Sequence, residues 1–160
     1  MTGRLLLFML LLGLNTRGQE TSEKLLFSVA TNRAKTVVLT LDSVRQELIY
    51  RYGRTNHPEL EVRDDLSDSI PVFTYSYYLR GGGASNAGLD LNYVSFVNKG
   101  YKYVIYSEYS AEMDETTVGV RMVELKKGKS HELKGIYKTV QGSLIAPFRW
   151  DHLIPTVEME

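Results

Sequence analysis

The 160-residue chain, 43% hydrophobic and 24% charged, is sized for one globular domain with a single core. Its 19 basic and 19 acidic residues cancel, which leaves no overall field to draw in nucleic acid or anionic lipid. With no cysteine, the chain has no disulfide framework, no thiolate for a zinc site and no lipid-bearing Cys.

Residues 1–18 read as a secretory signal peptide. Arg4 supplies the positive start, and the apolar run from Leu5 to Leu14 is too short to span a bilayer. Thr16 and Gly18 are the small residues a peptidase needs, which places cleavage between Gly18 and Gln19. The competing readings are an uncleaved anchor and a buried helix; Asn15 and Arg17 beside the run argue against the helix. Removing Arg4 and Arg17 leaves residues 19–160 as a single β domain with 17 basic and 19 acidic residues. No second apolar run reaches spanning length, so no membrane insertion is expected after cleavage, and the destination is periplasmic or secreted.

From Leu25 onward, β-branched and aromatic residues gather in short alternating runs divided by turn residues. Residues 25–30 and 35–41 flank a hairpin at Thr31, Asn32, Arg33 and Ala34. A strand over 47–52 ends at Gly53, and a short one covers 59–62. Residues 41–50 also carry a weaker helical pattern. The Asp- and Ser-rich stretch 63–71 predicts a polar loop between a first and a second group of strands.

In the second group, residues 73–79 predict a strand broken by the loop 80–88, which carries Arg80, Gly81, Gly82, Gly83, Ser85 and Asn86. Residues 89–97 and 101–106 flank Asn98, Lys99 and Gly100, the strongest hairpin signal in the chain. Residues 117–125 and 131–139 flank a Lys-rich tip with Gly128. The order predicts an all-β antiparallel meander, either a β-sandwich or a small closed barrel.

Catalytic signatures are missing from this pattern. His57, His131 and His152 stand at no metal-ligand spacing, although Asp151 beside His152 is the most suggestive of the three settings. The carboxylates at 64, 65 and 68 and at 112, 114 and 115 lack the alternation and central Gly of a calcium loop and read as solvated loops. No Gly-x-Ser-x-Gly turn is present, and no helix follows the glycines at 81–83 to cradle a phosphate. No catalytic residue, metal or cofactor is therefore assigned.

Tyrosine is the unusual residue, with eleven in the chain, eight of them from Tyr75 to Tyr109. Alternation sets Tyr101, Tyr103 and Ile105 against Lys102, Val104 and Tyr106, so both faces of that strand carry rings. One set belongs to the core, and an exposed set suits a protein or glycan surface.

The segments Arg45-Gln46-Glu47-Leu48-Ile49-Tyr50-Arg51-Tyr52-Gly53, Glu59-Leu60-Glu61 and Gly100-Tyr101-Lys102-Tyr103-Val104-Ile105-Tyr106 resemble a family of small exported bacterial all-β proteins of unknown function. The resemblance implies an extracytoplasmic bacterial β protein and no active site. The architecture, with a Ser- and Gly-containing loop at 80–88, is also similar to the periplasmic lysozyme inhibitors, barrels that push such a loop into an enzyme cleft; their usual disulfide has no counterpart here. The combined expectation is a non-enzymatic binding or inhibitory protein of the periplasm or cell exterior. It would contact a protein or glycan through Arg80, Gly81, Gly82, Gly83, Ser85, Asn86, Tyr78 and Tyr106. The alternatives are an envelope-polymer hydrolase and a structural envelope component. Oligomeric state is left open.

Overall fold

The structure, a computed structural model, describes residues 22–150 and 152–159, with only the backbone of Trp150. Residues 1–18, expected from sequence to be a signal peptide, and Asp151 lie outside the described residues. Among the described residues, ten strands and one short α-helix follow in chain order: β1 (Glu23–Ala30), β2 (Thr36–Asp42), β3 (Glu47–Arg54), β4 (His57–Asp65), β5 (Thr74–Arg80), β6 (Leu89–Asn98), β7 (Tyr101–Ser110), β8 (Glu115–Glu124), β9 (Ser130–Lys134), β10 (Gln141–Gly142) and α1 (Ala146–Trp150). They form two five-stranded antiparallel sheets, β10-β1-β2-β3-β4 and β5-β6-β7-β8-β9.

The turns between strands follow local chemistry. At the β6–β7 hairpin, Asn98 pairs with Tyr101, and Lys99 and Gly100 both take positive φ, at 47° and 82°, as a tight turn matched to strand twist requires. Between β2 and β3 the weaker helical pattern does not form. Asp42 Oδ1 accepts the N–H groups of Val44 and Arg45, each at 3.0 Å, and so turns the chain back into the sheet.

Each sheet turns one face inward, and the two faces share a core. Tyr50 of the first sheet meets Phe96 of the second with ring centroids 4.9 Å apart, and Phe96 also packs on Phe73 and Tyr103. This burial of large apolar side chains from both sheets is the main force holding them together.

The sheets do not close into a barrel. At one corner β9 ends at Lys134, and the bridge Thr31↔Gly135 carries the chain across to the first sheet. The strand expected over 131–139 therefore stops early and is followed by a 3₁₀ turn over Tyr137–Thr139. A Cβ on Gly135 would meet Val29 Cγ2 at 2.8 Å and Val118 Cγ2 at 3.0 Å, so the crossing passes between side chains of both sheets. On the opposite side, the free edge of β5 pairs with residues 155–157 instead of β4: Tyr75 N–H donates to Pro155 O (2.9 Å) and Val157 N–H donates to Tyr75 O (2.8 Å).

The polar loop expected at 63–71 begins later than its composition suggests. Arg63, Asp64 and Asp65 continue β4 opposite Ile49, Leu48 and Glu47. Asp64 points inward and is only 2% exposed, with Oδ2 accepting the N–H groups of Val72 and Phe73 at 2.9 Å each. This residue is a buried carboxylate that fixes the passage between sheets, not the solvated loop residue its neighbours suggest.

Candidate binding face

The outer faces of the two sheets are built differently. On the first, Arg51 donates to both Glu23 oxygens (2.5 and 2.9 Å) and to Glu61 (2.6 Å), while Arg63 bridges Glu61 and Glu47 at 2.8 Å each. This alternating lattice covers Ile49, which shares the face and is fully buried. The charges satisfy one another across the strands, with Leu25 and Val38 left partly exposed beside them.

On the second sheet, strand register brings Ser76, Tyr93, Tyr106 and Gly119 into one outer row, with Ser95, Val104 and Arg121 in the next. Tyr106 lies against Gly119, where an added Cβ would sit 2.7 Å from the phenol oxygen. The ring is only 2% exposed, donates through its hydroxyl to Glu132 (2.9 Å), and carries the Arg121 guanidinium 4.2 Å above its centroid. Arg121 is held in turn by Glu108 at 2.8 Å, which also accepts the Tyr93 hydroxyl at 2.8 Å.

Burial, helped by the carboxylate acceptors, pushes the Tyr93 phenol up to about 12 and raises Tyr106 as well. Both phenols stay protonated, so the network keeps one arrangement across the physiological range. Beside it lies a hollow of about 410 Å³ whose lining includes Val104, Val123, Tyr93, Arg121, Lys102 and Met159. A second hollow of about 520 Å³ shares Ser76, Ser95 and Lys102 with the first and reaches Val157 and Glu158. Together they make one groove of apolar floor, fixed ring edge and cations. Such a groove can hold an amphipathic surface.

The residues expected from sequence fall at and beside this face. Tyr78 is on it, 40% exposed and opposite Leu91; Tyr106 is on it but covered by Arg121. Arg80, Gly81, Gly82, Gly83, Ser85 and Asn86 form an exposed loop at its β5–β6 end that is largely self-satisfied. Arg80 donates to Ala87 O at 2.9 and 2.5 Å, Asn86 to Gly81 O, and Ser85 to Gly82 O. Gly82 and Gly83 take φ of 99° and 63°, backbone that suits glycine.

Tyr93, Arg121, Val123 and Met159 were not singled out in the sequence. The first three could have been found by extending the alternation of Val104 and Tyr106 across the neighbouring strands. The expectation that one set of β7 rings is core holds for Tyr103, which stacks on Phe96, although Tyr106 is buried as well.

His57, His131 and His152 are exposed, and no group of three or more metal-ligating side chains occurs among the described residues. A separate polar cluster closes one end of the core. Arg149 of α1 donates to Asp90 (2.9 Å) and Asn92 (2.8 Å), Tyr75 donates to Asn92 (2.5 Å), and the guanidinium lies 4.4 Å from the Tyr77 centroid. It clamps α1 to the sheet. No helix among the described residues is long and apolar enough to cross a membrane. No family model matches the chain, and no curated protein or solved structure matches it either.

Proposed function

We propose that this chain is an exported, non-enzymatic binding or inhibitory protein of the bacterial periplasm or cell exterior, and that it captures a protein partner on the outer face of the second sheet. The observation that carries the reading is the contrast between the outer faces: the centre of one is crossed by an ion-pair lattice, while the other has a hollow of about 410 Å³ lined by Val104, Val123, Tyr93 and Arg121. Partly exposed Tyr and Arg over an apolar floor match the composition of interface anchors. With the hydroxyls of Tyr93 and Tyr106 already occupied, the face offers ring and methyl surface more than hydrogen-bond readout, which favours a protein over a glycan. The loop from Arg80 to Gly88 borders the face and would supply peripheral contacts.

The test is affinity capture from periplasmic and culture-supernatant fractions with residues 19–160 as bait. Wild type, Val104→Asp in the groove and Val38→Asp on the first sheet are compared. A partner retained by wild type and by Val38→Asp but lost by Val104→Asp supports the reading. Retention of the same partner by Val104→Asp, or loss only with Val38→Asp, overturns it.

A further inference from the structure

The inward face of the second sheet changes character along its strands. Val94, Ile105 and Val120 form one fully buried row of the core. Two residues on, the row becomes Asn92, Ser107 and Val118, and the next is Asp90, Tyr109 and Thr116. Across from these polar rows stand Tyr137, Val140 and residues 142–145, and both groups line a hollow of about 300 Å³.

The polar groups around the hollow differ in what already holds them. Asn92 is committed within the protein: Oδ1 accepts from Tyr75 and Arg149, and Nδ2 donates to Asp90 Oδ1 at 2.8 Å. Arg149 also donates to Asp90 Oδ1, whereas Asp90 Oδ2 accepts no hydrogen bond among the described residues. The hydroxyls of Ser107, Thr116 and Tyr137 make none there either, and Tyr109 reaches only Asp114 Oδ1, at 3.5 Å. Inward-facing hydroxyls ordinarily find a partner within the protein. Half-buried Ser107 and Thr116, left unclaimed beside an unclaimed carboxylate oxygen, are open to a ligand.

We propose that this hollow binds one neutral pyranose ring, either a unit of a glycan or a free sugar. Asp90 Oδ2 can only accept and takes a hydrogen bond from a sugar hydroxyl, while Ser107 and Thr116 can donate or accept and read the neighbouring hydroxyls. Tyr109 comes from the sheet and Tyr137 from the opposite segment; their rings, 37% and 56% exposed, offer apolar surface to the C–H face of a sugar. Asp90 is the sole charged side chain lining the hollow among the described residues, so phosphorylated and acidic sugars are disfavoured. The volume sits at the lower end of small-molecule sites, which run from about 300 to 1,000 Å³, and suits one ring. The lining shares no residue with the groove on the outer face, so the site goes beyond the partner-binding reading and stands independently of it.

The probes are glucose, galactose, mannose and N-acetylglucosamine, each titrated to about 50 mM, a range that detects millimolar Kd, against nitrogen-15-labelled residues 19–160 followed by amide shifts. At least one sugar is expected to shift the amides of Asp90, Ser107, Tyr109 and Thr116 saturably. The double variant Ser107→Ala, Thr116→Val should weaken it about ten-fold, and Tyr137→Ala about five-fold or more. The Tm of the double variant should stay within about 2 °C of wild type, because neither hydroxyl serves the fold. The 6-phosphate of the same sugar should bind at least about five-fold more weakly. Binding of its methyl glycoside as tightly as the parent assigns a glycan unit, and loss with the glycoside assigns a free sugar; either supports the site. No saturable shift at these residues with any of the four sugars, affinity unchanged in the variants, or a 6-phosphate bound as tightly as its parent overturns it. Partner capture on the outer face is read separately with Val104→Asp, so the two readings fail independently.

Discussion

Gly119→Ala tests how the outer face is assembled, because its effect is steric and calculable from one position. An added Cβ would lie 2.4 Å from Leu133 O, 2.7 Å from the Tyr106 hydroxyl oxygen and 2.9 Å from its Cζ. Such contacts do not open below 3.0 Å, so β9 must retreat by about 0.6 Å and the Tyr106 ring must lift. Overpacking of this kind costs about 1–3 kcal/mol. Weakening the Tyr106 bond to the Glu132 carboxylate adds about 1 kcal/mol.

The sum of about 2–4 kcal/mol corresponds to a fall in Tm of about 5–15 °C for a domain of this size. Urea denaturation followed by tyrosine fluorescence measures it directly. Combining Gly119→Ala with Tyr106→Leu removes the ring clash and leaves the carbonyl clash. The double variant should therefore be about 1 kcal/mol more stable than additivity requires. A Tm within about 2 °C of wild type for Gly119→Ala would refute the claim that this glycine seats the Tyr106 ring.

Three further outcomes follow from the buried polar groups. Asp64→Ala leaves the N–H groups of Val72 and Phe73 without their acceptor and should cost about 2–4 kcal/mol by chemical denaturation, with Asp64→Asn milder because it keeps one acceptor. Arg149→Met removes the donor that ties α1 to Asp90 and Asn92; a loss of about 2–3 kcal/mol and faster hydrogen exchange in residues 144–149 are expected, and unchanged exchange would contradict the clamp. The Arg51 guanidinium holds the Glu23 carboxyl below its ordinary value, and the Arg45 N–H does the same for Asp42. With folded values depressed, these groups contribute stability that is present above the ordinary carboxylate range and lost as pH falls through the folded values. Urea midpoints should therefore hold from about pH 5 to 8 and fall below about pH 4, with Arg51→Met showing a smaller acid-induced loss.

Much of the fold was legible because it is written in local chemistry. Lys99 and Gly100 need positive φ and sit where strands must reverse, and the change of composition after β4 marks the passage from one sheet to the other. Asp64 was misread because its burial depends on Val72 and Phe73, which the passage itself brings beneath it. The return of β10 to β1 and the seating of residues 155–157 on β5 escaped for a related reason. Each is a brief pairing with a distant strand, with no repeat long enough to show a period. Helix α1 is likewise too short for one, and its position comes from Phe148 in the core and Arg149 on Asp90 and Asn92.

For the site, alternation correctly gathered Lys102, Val104 and Tyr106 on one face. It gave no sign that Gly119 admits the Tyr106 ring or that Arg121 covers it, since both depend on cross-strand register. The Gly-rich loop drew notice for its composition, yet Arg80, Ser85 and Asn86 spend hydrogen bonds on closing the loop itself.

Site-specific photo-cross-linking bears most directly on the outer face of the second sheet as the binding surface. A benzoylphenylalanine at Ser95, which borders both hollows, is compared with one at Val38 on the outer face of the first sheet. A discrete adduct from position 95 and none from position 38 is the predicted result. Adducts from position 38 alone, or equal labelling at both positions, would contradict the assignment.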